Sequence, residues 1–136
     1  MLKILILDRN NSIRSQILEA YLNKFLNKRA QLVSAGIGAT GIDPQAIRVM
    51  AEDGFVIAGQ NSKSLDEVEG FPYDTIIFCS EYLQAEIFPK KKNCRILCGN
   101  FTELDGFGGA ERLSRMRIMR DEIKIFAQSA AINLFE

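Results

Sequence analysis

The chain opens on an apolar run, Ile4-Leu5-Ile6-Leu7, that stops at the polar stretch Asp8-Arg9-Asn10-Asn11-Ser12. From Ile13 onward apolar residues return at helical spacing, at Ile17, Leu18, Tyr21, Leu22, Phe25 and Leu26. The first pattern predicts a strand, and the second predicts an amphipathic helix that packs on it and reaches about Lys28. Gln31 to Ala35 reads as a second strand, and three glycines (Gly36, Gly38, Gly41) then precede Asp43-Pro44. Aspartate before proline starts a helix, because Asp43 caps free N–H groups and Pro44 takes the first helical position without losing a hydrogen bond. That helix is expected to turn Ala46, Ile47, Met50 and Ala51 inward and to end at Gly54 in a left-handed cap. Ser64-Leu65-Asp66-Glu67 has capping-box spacing and predicts a brief third helix.

Tyr73 to Cys79 is a short continuous apolar run, the kind that fills a strand buried on both faces, and Arg95 to Cys98 reads as a fourth strand of the same kind. A loop from Asn100 to Gly109 holds Glu103, Asp105 and three glycines. The longest periodic segment follows, with Leu113, Met116, Met119, Ile123, Phe126, Ala127, Ala130 and Leu134 on one stripe and a Glu111–Arg115 pair on the other side. Strands alternating with helices predict an α/β fold: one domain over residues 1–136, three layers α/β/α, and a four-stranded parallel sheet with any ligand at the carboxyl ends of its strands.

Asp8 to Arg14 lies at such an end. An apolar strand that feeds a polar loop opening a helix leaves several N–H groups without partners and aims the positive helix end at one point. The candidate anion-binding set is therefore Asn11, Ser12, Ile13, Arg14 and Ser15, with Arg14 at the rim.

Composition narrows the options. Lysine plus arginine equals aspartate plus glutamate, 17 each, so no global field recruits nucleic acid or an acidic membrane surface, and any anion preference is local. No apolar run approaches the roughly 18 to 20 residues of a membrane span. Three cysteines (Cys79, Cys94, Cys98) without a secretory leader suggest reduced thiols in a cytoplasmic protein. With no histidine, Cys94-x3-Cys98 is too small a ligand set for zinc. Neither a metal nor a cofactor is expected, and no protein partner is indicated. Lys90-Lys91-Lys92 reads as a solvated turn before a strand, and Arg112, Arg115, Arg117 and Arg120, spread around one helix, read as solubility.

The loop Asp8-Arg9-Asn10-Asn11-Ser12-Ile13-Arg14-Ser15 resembles the phosphate loop, Cys-x5-Arg-Ser, of the low-molecular-weight tyrosine phosphatases and the thioredoxin-linked arsenate reductases built on the same flavodoxin-like fold. Further segments resemble the reductase branch in order: Val33-Ser34-Ala35-Gly36-Ile37, Gly41 to Ile47, Ser64 to Glu67, Tyr73-Asp74 leading to Cys79, and Arg120-Asp121-Glu122-Ile123. The resemblance implies that Asn11 bends the loop, Arg14 grips an oxyanion such as phosphate or arsenate, and Ser15 steadies the group at the nucleophile position. That position holds Asp8 instead of cysteine. The resemblance also makes Cys79 a redox candidate and Asp105 the candidate general acid, although Gly106 follows where the family has proline, Asn10 replaces a glycine, and Ile13 replaces a cysteine.

A thiolate attacks phosphorus or arsenic well once N–H donors lower its pKa, whereas a carboxylate needs Mg²⁺ and further acids. The expectation is an oxyanion-binding domain that is catalytically inactive or impaired, a P-loop pseudoenzyme. The alternatives are an active phosphatase or arsenate reductase homologue, or a receiver-like signalling domain. The last would need a pair of acids after the first strand, where Arg9 follows Asp8, and an acceptor aspartate where Cys79 stands.

Overall fold

The computed structural model describes residues 1–86 and 93–135. The expected strands are present as β1 (Leu2–Asp8), β2 (Ala30–Gly36), β3 (Thr75–Phe78) and β4 (Arg95–Cys98), all parallel, in the order β2-β1-β3-β4. The helices are α1 (Arg14–Leu26), α2 (Pro44–Glu52), α3 (Glu81–Glu86) and α4 (Gly109–Asn133). Central β1 aligns Leu5 with Val33 on one side and Ile76 on the other, and its last residue, Asp8, stands opposite Gly36. The first strand therefore delivers its polar end to the middle of the sheet's carboxyl edge.

Side-chain alternation splits the core in two. Ile4, Ile6 and Ile77 pack with Ile17, Leu18, Tyr21, Val49, Met50, Met116, Met119 and Ile123 under α1, α2 and α4, whereas Leu5, Leu7, Ile76 and Phe78 pack with Leu83 and the segment around Leu65, Val68 and Phe71 on the opposite face. Each such side chain, fully removed from water, contributes about 1.5–3 kcal/mol. Three layers result, with the heavier helical layer on the α1 and α4 side. The α4 stripe is buried throughout except for half-buried Phe126.

Asp43 caps α2 as expected, its Oδ1 accepting the Gln45 N–H at 2.9 Å, and Gly54 takes a left-handed conformation (φ 82°) beyond its end. Several expectations need correction. The inward set of α2 is Ala46, Val49 and Met50, with Ile47 half-buried and Ala51 exposed. Ser64 to Glu67 opens only a single 3-10 turn, Leu65–Val68, in which the Ser64 N–H donates to Glu67 Oε2 at 2.7 Å. β4 is an edge strand with Arg95 and Ile96 exposed, so of these two runs β3 alone is buried on both faces. The short helix α3 had no counterpart in the sequence pattern.

The arginines of α4 do more than solubilise. Arg112 pairs with Asp43 at 2.7 Å, and Arg117 and Arg120 converge on Glu52 at 2.8 and 3.2 Å, so α4 is stitched to both ends of α2. Arg117 holds the Glu52 carboxyl down to about 2. Arg115 donates to the Glu103 carbonyl at 2.8 Å and stacks on Phe107, rather than forming the expected pair with Glu111. Lys90-Lys91-Lys92 lies outside the described residues. Among the described residues no helix is long and apolar enough to cross a membrane.

Candidate anion cradle

The loop from Asp8 to Ser15 is shaped by what its carbonyls do. Those of Arg9, Asn10 and Ser12 accept N–H groups of Gly38 (3.1 Å), Thr40 (3.3 Å) and Asp43 (3.1 Å) from the β2–α2 connection. The Asn11 carbonyl accepts Gln16 Nε2 at 3.0 Å and Ser62 Oγ at 2.9 Å. Because a peptide unit is planar and trans, a carbonyl turned outward turns the next residue's N–H inward. An N–H group that follows such a carbonyl points away from that carbonyl's partner, the disposition an anion-binding loop uses.

Asn11 carries the bend. It is fully buried, with φ 48°, the left-handed region that asparagine tolerates better than most residues. Its Nδ2 donates to Ser15 Oγ (2.8 Å) and Ser34 Oγ (3.0 Å), while its Oδ1 accepts from the Lys63 N–H (2.7 Å) and Gln16 Nε2 (3.0 Å). The positive φ belongs to Asn11, and Asn10 does not need it. Gln60 Nε2 extends the support by donating to Gln16 Oε1 at 2.7 Å. Gly36 faces the loop so closely that a Cβ there would lie 2.6 Å from the Asn11 nitrogen and 2.8 Å from the Arg9 oxygen.

Inside the cradle sits Asp8, 8% exposed. Its Oδ1 accepts the Arg9 N–H at 2.7 Å and its Oδ2 accepts the Ser15 N–H at 3.3 Å. Arg14 reaches outward to Glu103, Nη2 to Oε2 3.0 Å, and its Nε is buried without a hydrogen-bond partner. Asp8, Ser12, Ile13, Arg14 and Asp105 line one open cavity of about 730 Å³, together with the Asp43–Arg112 pair on one wall. Burial opposes ionisation of Asp43, but the Arg112 guanidinium and the Gln45 N–H outweigh it and hold the carboxyl below its usual range. Arg112 also donates to Gln45 Oε1.

Cys79 is near Asp8 but not in the cavity lining. It is 1% exposed, and burial, reinforced by the Asp8 charge, pushes its thiol well above the usual value against the pull of Arg14. Cys79 packs on the α1 and α4 side of the sheet, whereas Cys94 and Cys98 pack against the Phe78 side, although Cys98 is close enough to add to the upward push on the Cys79 thiol. Cys94 and Cys98, four residues apart on nearly extended chain, are separated by about 13 Å, and a disulfide tolerates about 7 Å.

Gln16, Gln60 and Lys63 were not singled out by the sequence pattern, and Ser34 and Glu103 were given no role by it. Two signals were present. Ser34 interrupts the alternating Leu32, Ser34, Gly36 face of β2, and Gln16 and Glu19 sit beside the apolar stripe of α1 at helical spacing. Glu19 is indeed buried, and that burial raises its pKa against the attraction of Lys63 and hydrogen bonding to Ser34.

The fold is an α/β domain with a four-stranded parallel sheet and a buried polar loop at the carboxyl end of its central strand. The family model for low molecular weight phosphotyrosine protein phosphatase matches residues 3–102, and the chain belongs to that family. It is 33% identical over 122 residues to arsenate reductase 2 of Staphylococcus epidermidis, covering 88% of each chain. Among solved structures it superposes on a low molecular weight protein tyrosine phosphatase from T. tengcongensis with a TM-score of 0.81 at 17% identity, covering 98% of this chain and 99% of that one. An arsenate reductase in the phosphate binding state gives a TM-score of 0.75 at 23% identity over 98% of both chains. Vibrio vulnificus Wzb in complex with benzylphosphonate gives 0.79 at 21%, over 97% of this chain and 98% of that one. Membership of this family replaces the receiver-like alternative.

Proposed function

We propose that this chain is an oxyanion-cradle domain of the phosphatase and arsenate reductase family whose nucleophile position holds a carboxylate, leaving it catalytically silent or nearly so. The observation that carries the reading is that Asp8 already accepts the Arg9 and Ser15 N–H groups at 2.7 and 3.3 Å. These are donors that an oxyanion in the cradle would otherwise use, so the loop is filled by its own chain. An incoming anion also meets a charge: two unit charges about 4 Å apart repel by about 4 kcal/mol at an effective dielectric near 20.

The arsenate reductase in its phosphate-binding state and the benzylphosphonate complex of Wzb support an anion as the ligand class. In this reading Asn11 to Ser15 form the binding loop, Arg14 is the gripping cation, and Asp105 would donate a proton to a leaving oxygen were a nucleophile restored. Cys79 is a core residue rather than a relay thiol, because it is buried and its thiol is held well above the usual pKa, which keeps it protonated. Restoring the thiol with Asp8→Cys and measuring p-nitrophenyl phosphate turnover beside the unsubstituted chain tests the reading.

A further inference from the structure

The loop between β4 and α4 brings Glu103 to Arg14 from 89 residues away. Its side chain is 65% exposed, while that of Arg14 is only 20% exposed. The backbone beneath Glu103 is fixed, because its carbonyl accepts Arg115 Nε at 2.8 Å and the Arg115 guanidinium lies 4.0 Å over the Phe107 ring. The gripping arginine of the cradle is thus occupied by a carboxylate on a pinned loop. Its own Nε remains buried and unsatisfied.

We infer that Glu103 is a latch on the cradle, an internal carboxylate that competes with oxyanions for the Arg14 guanidinium and opens by side-chain rotation while the loop backbone stays in place. The inference rests on the reading of the cradle as an anion site. It adds that two carboxylates divide that site's donors, Asp8 on the loop N–H groups and Glu103 on Arg14. An incoming oxyanion must displace the second whatever stands at position 8.

The test compares the unsubstituted protein with Glu103→Gln and Glu103→Asp. Glutamine removes the charge. Aspartate keeps the charge but, on a backbone pinned by Arg115, falls one methylene short of Arg14. Two readouts are taken: the rate at which phenylglyoxal modifies Arg14, followed by peptide mass spectrometry with Arg95 as internal reference, and the dissociation constant for inorganic phosphate. A latch predicts that both substitutions speed Arg14 modification by about two- to fivefold, the range for a partly exposed ion pair, and tighten phosphate by a similar factor. Unchanged Arg14 modification in both variants overturns it. A gain with glutamine alone also overturns it, since that marks a field effect without contact. Faster Arg14 modification with no phosphate binding in any variant leaves only an ion pair between Glu103 and Arg14 and overturns both the latch and the anion reading. Phosphate binding that is indifferent to residue 103 leaves the anion reading standing and removes the latch.

Discussion

Replacing Asn11 by alanine tests whether the loop is built as described. The substitution deletes two buried donors, to the hydroxyls of Ser15 and Ser34, at about 1 kcal/mol each. It strands the Lys63 N–H, which gives up a 2.7 Å bond to Asn11 Oδ1, for about 1–3 kcal/mol. Gln16 Nε2 suffers less, because it keeps the carbonyls of Asn11 and Asn61. Alanine must then hold the left-handed φ of 48°, which costs about 1 kcal/mol more than asparagine or glycine. The total is about 4–6 kcal/mol, a large share of the roughly 5–15 kcal/mol that stabilises a domain. Asn11→Gly loses the same hydrogen bonds but not the backbone fit, and is expected to be about 1 kcal/mol more stable than Asn11→Ala. Equilibrium urea unfolding followed by far-ultraviolet circular dichroism measures both. A loss below about 1.5 kcal/mol for alanine, against the 1–3 kcal/mol expected from the stranded donor alone, would refute the network, and glycine less stable than alanine would refute the left-handed bend.

Two further outcomes follow from buried titratable groups. In the native protein, iodoacetamide near neutral pH is expected to spare Cys79, whose thiol is shielded and shifted upward, while modifying Cys94 and Cys98 more readily; mass spectrometry after a timed quench reads the order, and prompt modification of Cys79 would contradict it. Glu19 has a raised native pKa, so relative to the unfolded chain its contribution is most favourable below 4.5 and is lost as pH rises through the native value. Glu19→Gln lacks this titration, and its stability relative to the unsubstituted chain should rise with pH across that window; parallel pH–stability curves would contradict the burial of the charge.

What was legible in the sequence was what is encoded locally. Ile4 to Leu7 and Tyr73 to Cys79 are apolar enough to be strands in any context, and Asp43-Pro44 and Gly54 punctuate α2 by their own backbone chemistry. The loop residues Asp8, Asn11, Arg14 and Ser15 are neighbours in the chain, so their order was enough to bring them together. β4 was misjudged because Ile96 and Leu97 look like a buried run, and nothing within four residues says that no strand follows on that side. The phase of α2 slipped because two inward pairs, Ala46 with Ile47 and Met50 with Ala51, fit the periodicity as well as Ala46, Val49 and Met50. α3 escaped because Leu83 is the one fully buried apolar anchor among its described side chains. The supports of the cradle are tertiary: Ser34, Gln60, Ser62, Lys63 and Glu103 approach the loop only after the sheet forms. Asp105 lines the same cavity as Asp8, and the carboxylate that pairs with Arg14 is Glu103, two residues before it.

The most direct measurement is p-nitrophenyl phosphate turnover near pH 6, under thiol reductant, by the unsubstituted chain and by Asp8→Cys at matched concentration. An intact cradle that lacks only its nucleophile gives no turnover in the first and clear turnover in the second, abolished again when Arg14→Ala is added. Turnover by the unsubstituted chain, or silence in Asp8→Cys despite native folding, would contradict the proposal that Asp8 fills a working oxyanion loop.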